Sequence, residues 1–261
     1  MTRSLAGVPV LVTRPAPQAA RFAALLTEAG ANPVPFPAIE IEPVELDAEA
    51  RARLAPDSFD WAVYTSANAV ECSLRQLPRP TRTRIAAIGR GTARALAAHG
   101  VAVDAVPTTT SESEGLLALP SFLEVRGCRI LILRGVGGRT LLRDELTRRG
   151  AMVTLGEVYR RVRAVPTPTD LAGLRRACDS GRAVVAVTSA EVLHALLELA
   201  PEERFPRLRD CALLVPGERV AAAARALAWR GPLITAHGAE DAAMVDALAR
   251  AATAGGAPGS A

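Results

Sequence analysis

The sequence contains no lysine and few aromatic residues. All 31 basic residues are therefore arginine, the net charge is a modest +4, and aromatic residues make up 3% of the chain. Without a dense basic stripe or interleaved aromatics, this composition does not favour nucleic-acid binding. The absence of lysine also excludes the phosphate-binding loop G-x-x-x-x-G-K-[ST].

Long hydrophobic runs are missing as well. No stretch of 18 or more apolar residues occurs, and the N-terminus lacks a charged region followed by an apolar block with a small-residue cleavage site. We therefore expect a soluble, cytoplasmic protein. With 261 residues, of which 49% are hydrophobic, the chain can fill two modest cores.

Clustered cysteines and histidines are also absent. Cys72, Cys128, Cys178 and Cys211 are dispersed with no C-x-x-C spacing, and the three histidines are equally scattered. Neither a disulfide framework nor a zinc site is predicted. Cys128, Cys178 and Cys211 lie in or beside apolar segments, and we expect them to be small buried side chains.

Two glycine-containing turns come close to a dinucleotide-binding fingerprint. Thr140 stands where the pattern that begins at Gly135 needs its third glycine, and Arg94 stands there in the pattern that begins at Gly89. Nicotinamide or ATP binding is therefore not favoured. These glycines are predicted to turn the chain.

What the sequence does contain is an internal repeat. The stretch 128–162 has an apolar run, Arg134, an amphipathic segment that stops at Gly150, and a second apolar run. The stretch 8–42 repeats this order, with Arg14 and Gly30 in the corresponding places. The match continues downstream, where 61–77 corresponds to 183–199 and 84–100 corresponds to 211–231.

The repeat predicts an α/β fold with two domains. Strands that alternate with helices of this length favour doubly wound parallel sheets. Proline-rich extended stretches at 32–41 and 160–168 are predicted to cross between the domains. We also predict a strand from Val101 to Val106 and a disordered tail from Thr253 to Ala261.

In such sheets, ligands bind beyond the carboxyl ends of the strands, where turns and helix N-termini present free N–H groups. Arginines at these ends, with their planar forks, suit carboxylates or phosphates, although many surface arginines are merely solvated. A small polyanionic ligand fits this charge balance. The candidate turns are 14–15, 65–68, 89–92, 134–139, 188–191 and 216–219.

Hydroxyl groups in these turns have two interpretations. Thr65-Ser66 and Thr188-Ser189 recur at matching strand ends, which fits helix capping as well as ligand binding. Thr92 either caps a helix or points at an anion, and the Tyr159 ring, as one alternative, packs in the hinge. No G-x-S-x-G elbow is present, so nucleophilic catalysis is not predicted.

Three segments, taken with their order and spacing, resemble the uroporphyrinogen-III synthase family. They read FDWAVYTSANAV, IAAIGRGTARALAAHG and RILILRGVGGRTLLRDELTRRGAMVTLGEVYRRV. The likeness covers nearly the whole chain except the tail. It implies two α/β domains joined by a two-stranded linker, with domain one at 1–37 plus 164–261 and domain two at 38–163, and it implies no metal or cofactor.

The resemblance also implies a reaction, in which linear hydroxymethylbilane closes to uroporphyrinogen III with loss of water and inversion of the last pyrrole ring. This is a step of tetrapyrrole biosynthesis. The bilane carries eight carboxylates, which suits arginines and backbone N–H groups facing a cleft. Because the substrate closes unaided to the uninverted isomer, the enzyme must chiefly hold the bilane so that it closes to the inverted one. Good orientation in an intramolecular reaction lowers the activation barrier by up to about 7 to 11 kcal/mol.

The resemblance implies roles for individual residues. Tyr159 corresponds to a cleft tyrosine that hydrogen-bonds the departing hydroxyl, and Thr92 to a cleft threonine. Glu218 and Arg219 follow Gly217 where the family often has threonine, which leaves the contacts of this turn open. The catalytic candidates are Tyr159 and Thr92, and the substrate-binding candidates are Arg14, Thr65, Ser66, Asn68, Gly91, Arg134, Gly135, Arg139, Thr188, Ser189, Gly217 and Arg219.

An alternative from another class stays open at this point, namely a non-catalytic two-domain module that binds an anion for regulation. In either case we expect a monomer whose partner is a small molecule, with no nucleic acid or membrane.

Overall fold

The computed structural model describes residues 5–108 and 113–254. The chain divides into two compact units. The first consists of two segments, one up to Glu40 and one from Val162 onward, and the second runs from Ile41 to Arg161. The domain boundaries after Pro37 and Arg163 remain a prediction. In the described part of the chain, no helix has the length and apolar character needed to cross a membrane.

The first unit is built on a five-stranded sheet. Its elements are β1 (Pro9–Val12), α1 (Ala16–Glu28), β2 (Asn32–Pro35), α8 (Pro168–Asp179), β8 (Val184–Ala186), α9 (Ala190–Leu199), β9 (Ala212–Val215), α10 (Glu218–Ala226), β10 (Leu233–Thr235) and α11 (Asp241–Ala254). The strand order is β10-β9-β8-β1-β2, with every neighbouring pair parallel. Leu11 and Val185 pack with α8, α9 and α10, whereas Val10 and Val184 pack with α1 and α11 on the other face. Alternate residues of each strand thus fill two cores, as a doubly wound sheet requires.

The second unit repeats this plan. Its elements are β3 (Ile39–Pro43), α2 (Ala48–Arg53), β4 (Trp61–Tyr64), α3 (Ala67–Leu74), β5 (Arg84–Ala87), α4 (Arg90–Ala98), α5 (Ser113–Leu117), α6 (Pro120–Leu123), β6 (Arg129–Gly135), α7 (Leu141–Arg148) and β7 (Met152–Arg163). Short 3-10 turns occur at Pro56–Ser58 in this unit and at Leu208–Asp210 in the first. The strand order of the sheet is β3-β7-β6-β4-β5. Tyr64 and Leu131 pack with α3 and α4, whereas Val63 and Ile130 pack with α5, α6 and α7.

The chain passes from one unit to the other twice, once in β3 and once in β7. The Val44 N–H donates to the Val158 carbonyl, and the Ala164 N–H donates to the Ala38 carbonyl. Partner numbers run in opposite directions along the two strands, so this pair is antiparallel, whereas β4, β5, β6 and β7 pair in parallel. The predicted fold class, α/β with two largely parallel sheets, is confirmed.

Two local predictions differ from the structure. Val101 to Val106 is not a strand, because Ala105 forms an isolated bridge with Ala86 and the Asp104 carboxylate accepts from the Ile85 N–H at 2.7 Å. The Asp104 side chain thus accepts the hydrogen bond that a backbone carbonyl would accept in a regular strand pair. Helix α11 continues to Ala254, past the predicted start of the tail at Thr253; the rest of that predicted disorder lies outside the described residues.

Candidate active site

Parallel strands bring several turns to one edge of each sheet. In the second unit β6, β4 and β5 are neighbours, so the turns 134–139, 65–68 and 89–92 that follow them lie side by side. In the first unit β1, β8 and β9 are neighbours, which groups the turns at 14–15, 188–191 and 216–219 in the same way. The predicted site residues therefore lie at two edges, one in each unit.

Tyr159 lies on β7 and is only 2% exposed. Its hydroxyl is 3.1 Å from the Oγ of Ser66 and accepts a hydrogen bond from Nη2 of Arg161 at 3.3 Å. Its ring lies against the backbone of Gly135, its partner in the β6–β7 register, where a Cβ would approach the Tyr159 Cζ to 2.7 Å. Glycine at position 135 therefore makes room for the tyrosine ring.

Ser66 has a structural role as well as a contact with the site. It is the N-cap of α3, with extended backbone, and its Oγ accepts from the Ala69 N–H at 3.0 Å. Ser189 caps α9 in the same way and accepts from the Val192 N–H at 3.2 Å. Both serines thus satisfy a helix N–H that has no partner inside the helix.

Sequence reasoning missed Arg161. Its guanidinium carbon is 5.6 Å from the centre of the Tyr159 ring, in addition to the hydrogen bond to the hydroxyl. Residues i and i+2 of a strand point to the same face, so the position two residues after Tyr159 was the available signal. Nothing else in the local sequence distinguishes Arg161 from Arg160.

Arg134 is a buried cation at the end of β6, 6% exposed. Its Nε donates to the Gly135 carbonyl at 3.1 Å and its Nη1 donates to the Arg139 carbonyl at 3.2 Å. Gly138 leaves space for it, since a Cβ there would be 2.5 Å from Nη2. In residues 5–108 and 113–254 no carboxylate lies at ion-pair distance from Arg134. Burial of a charge without a counter-charge is costly, so this turn is suited to an anionic ligand.

The hydroxyl groups at the same edge differ in whether they already make a hydrogen bond. Thr65 Oγ1 donates to the Leu133 carbonyl at 3.1 Å, so it already has a partner. Thr92 is 5% exposed in the first turn of α4, and within the described residues its hydroxyl makes no hydrogen bond. Gly91 has open space where a Cβ would be, and Asn68 is half-buried in the first turn of α3. Thr92 and Gly91 thus offer a hydroxyl and accessible backbone at a helix N-terminus.

At the corresponding edge of the first unit, the arginine has a carboxylate partner. Arg14 forms an ion pair with Asp241 and donates to the Ala239 carbonyl at 3.1 Å. Thr188 is half-buried, Gly217 is the N-cap of α10 with open space around it, and Arg219 is exposed. Arg139 in the second unit is also exposed and lies 3.7 Å from Glu114.

The other tyrosine provides a contrast with Tyr159. Tyr64 is fully buried at the end of β4, and its hydroxyl has no hydrogen-bond partner among the described residues. Burial raises the pKa of Tyr64 to about 12. In the same part of the chain, no group of three or more His, Cys, Asp or Glu side chains is arranged to hold a metal ion.

A family model described as uroporphyrinogen-III synthase HemD matches residues 20–246. The chain belongs to the uroporphyrinogen-III synthase family. Uroporphyrinogen-III synthase from Escherichia coli (strain K12) is 36% identical over 248 residues, which cover 92% of this chain and 99% of that protein. The protein of the same name from Salmonella typhimurium (strain LT2) has the same identity and coverage.

Solved structures of uroporphyrinogen-III synthases share the fold. A mutant from Thermus thermophilus superposes with a TM-score of 0.59 at 23% identity, covering 95% of this chain and 99% of that one. The Helicobacter pylori 26695 structure has a TM-score of 0.63 at 17% identity, covering 92% and 97%. The predicted family and enzyme class are confirmed, whereas the roles of individual residues stay predictions.

Proposed function

We propose that this member of the uroporphyrinogen-III synthase family closes hydroxymethylbilane to uroporphyrinogen III, with loss of water and inversion of the last pyrrole ring. The match to a relative of that name over 99% of its length supports the reaction. No finding favours the alternative of a non-catalytic anion-binding module.

The observation that carries the proposed mechanism is the position of the Tyr159 hydroxyl. It is fixed by Ser66 and Arg161 and by the close approach of Gly135 to the ring. A hydroxyl fixed in this way can donate a hydrogen bond to the departing hydroxyl of the substrate. We assign Thr92, whose hydroxyl is not engaged by a described residue, to the same step.

We propose contacts to the substrate carboxylates from charged side chains and from turn residues with accessible backbone. In the second unit, Arg134 and Arg139 supply guanidinium groups. Arg14 already faces Asp241, so we assign it a structural role instead. The remaining proposed contacts are Thr65, Ser66, Asn68, Gly91 and Gly135 in the second unit and Thr188, Ser189, Gly217 and Arg219 in the first.

We further propose a cytoplasmic monomer that binds no nucleic acid, with domain boundaries after Pro37 and Arg163. All four cysteines are free, as suits a reducing compartment. The modest net charge of +4 does not favour a polyanionic partner chain.

The decisive experiment is product analysis. Purified protein is mixed with freshly prepared hydroxymethylbilane, the product is oxidised, and the uroporphyrin isomers I and III are separated by chromatography. We expect mainly isomer III, formed faster than isomer I forms in a sample without protein. Isomer I alone, at the uncatalysed rate, would contradict the proposal and favour the binding module.

Tyr159→Phe tests the mechanism in the same assay. We expect turnover to fall by about a hundredfold, a typical loss for a group that transfers a proton in the transition state. The matched control is Tyr64→Phe, which removes a buried hydroxyl of the same unit that has no partner among the described residues. Full activity of Tyr159→Phe would remove Tyr159 from the mechanism.

A further inference from the structure

We propose that Arg161 is a positioning residue for this reaction, which holds the Tyr159 hydroxyl so that its proton faces the substrate and which stabilises the phenolate once that proton has left. The inference rests on the function proposed above. The resemblance assigned no role to Arg161, which is inferred instead from two contacts, the Nη2 hydrogen bond at 3.3 Å and the position of the guanidinium over the ring.

The hydrogen-bonding groups around the Tyr159 oxygen limit where its proton can point. A guanidinium has only donors, so Arg161 occupies one lone pair of the phenol oxygen. The Oγ of Ser66 accepts from the Ala69 N–H at 3.0 Å and lies 3.1 Å from the Tyr159 oxygen, where either hydroxyl can be the donor. In the proposed arrangement Ser66 donates as Arg161 does, so that the phenol proton points away from both neighbours and toward a ligand.

The same arrangement suits the state after proton transfer. The proton passes from the Tyr159 oxygen to the hydroxyl oxygen of the hydroxymethyl group, the C–O bond breaks, and its electron pair leaves with water. To invert the last pyrrole ring, its α-carbon that carries the methylene bridge bonds to the freed CH2 group, and the C–C bond between that α-carbon and the bridge then breaks. The bridge carbon bonds to the ring's free α-carbon, and the proton lost from that carbon restores the tyrosine. Between these events Tyr159 is a phenolate, which the cationic donor Arg161 and the donor Ser66 both stabilise.

Arg160 provides a matched control on the same strand. It follows Tyr159 directly, so its side chain points to the opposite face, and it lies 3.6 Å from Glu42. Arg160 and Arg161 are both exposed on β7 and carry the same charge. Substitution of either one removes one positive charge from this strand, so a difference between them does not come from net charge; the double-mutant cycle below tests whether it acts through Tyr159.

The test is a double-mutant cycle with Arg161→Met and Tyr159→Phe, measured as kcat and KM for isomer III formation. We expect Arg161→Met to lower kcat by about tenfold with KM changed less than about twofold, and Arg161→Lys, which keeps a cationic donor, to retain more activity. In the Tyr159→Phe background we expect Arg161→Met to cause no further loss, because the group through which it acts is gone. Arg160→Met should leave kcat unchanged, and thermal unfolding of every variant checks that it folds.

The outcomes separate the inference from the proposed function. Equal losses from Arg161→Met in both backgrounds, or no loss in the otherwise unchanged protein, would overturn the role of Arg161 alone. Absence of isomer III formation by the unchanged protein would overturn the proposed function and the inference with it.

Discussion

Arg14 and Asp241 form an ion pair across 227 positions of the sequence. Their side chains are 10% and 15% exposed, and the Arg14 guanidinium lies 4.5 Å from the centre of the Phe22 ring. Arg134 ends the equivalent strand of the second unit, where no described carboxylate faces it. Both copies of the repeat thus have an arginine at this strand end, and among the described residues only the arginine of the first unit faces a carboxylate.

Asp241→Asn should destabilise the protein. It leaves the guanidinium of Arg14 buried without its counter-charge, and loss of one partner of a buried pair costs about 3 kcal/mol. Denaturant unfolding measures the change. Arg21→Met is the control, because Arg21 is 66% exposed and lies 3.7 Å from the same carboxylate; we expect a change below about 1 kcal/mol. Similar stabilities for the two variants would show that the ion pair does not stabilise the fold.

Arg134→Met should weaken substrate binding more than it weakens the fold. A hydrogen bond to a charged group contributes about 1.5 to 3 kcal/mol, so we expect KM to rise by about tenfold or more. Because the substitution leaves no described carboxylate unpaired, the free energy of unfolding should fall by less than about 1.5 kcal/mol. The control Arg143→Met removes an exposed arginine paired with Asp144. An unchanged KM with a large loss of stability would assign Arg134 a structural role instead.

Gly135→Ala should lower activity by displacing the Tyr159 ring. The added methyl carbon would lie 2.7 Å from the ring carbon Cζ, a distance that forces one of the two groups to move. We expect a fall in kcat of about tenfold or more, since small misplacements of a reacting group are costly. Gly173→Ala on α8 is the control, because its nearest neighbour, Val34 Cγ1, is at 3.5 Å. Wild-type kcat in Gly135→Ala would show that the tyrosine position is not critical.

Asp57→Asn should make the protein less stable at neutral pH but not in acid. The Asp57 carboxylate accepts from the Thr81 hydroxyl and from the N–H groups of Thr81, Arg82 and Thr83 at 2.9, 3.0 and 3.3 Å. These bonds, that of the Thr81 hydroxyl foremost, hold the pKa of Asp57 well below its ordinary value. A lowered folded pKa gives stability that is complete above the unfolded pKa of about 3.9 and is lost as the pH falls.

The measurement for Asp57→Asn is Tm against pH. We expect its Tm to lie below that of the unchanged protein at pH 7, and the difference to shrink below about pH 4. Glu49→Gln, a charge-neutralising change at the start of helix α2, is the control. A difference that stays constant from neutral pH into acid would show that the ionised carboxylate is not what stabilises this loop.

Local prediction failed where a side chain replaced a backbone group. The apolar residues from Val101 to Val106 suggest a strand, yet the Asp104 carboxylate takes the Ile85 N–H and one bridge at Ala105 is what remains. The hydrophobic pattern does not predict this difference, because it does not indicate which group accepts the hydrogen bond from the N–H of an edge strand.

The sequence by itself determined the duplicated α/β plan and the turns that carry candidate groups, because alternating apolar segments imply parallel strands whose carboxyl ends share one edge. It also placed Ser66 and Ser189 at the starts of their helices, since a short polar side chain there satisfies a free N–H. Tertiary structure alone decided that Ser66 meets Tyr159 across 93 positions and that Asp241 neutralises Arg14 rather than Arg134. Such pairings depend on how distant segments pack, and a local pattern of residues carries no information about which distant charge or hydroxyl will arrive beside it.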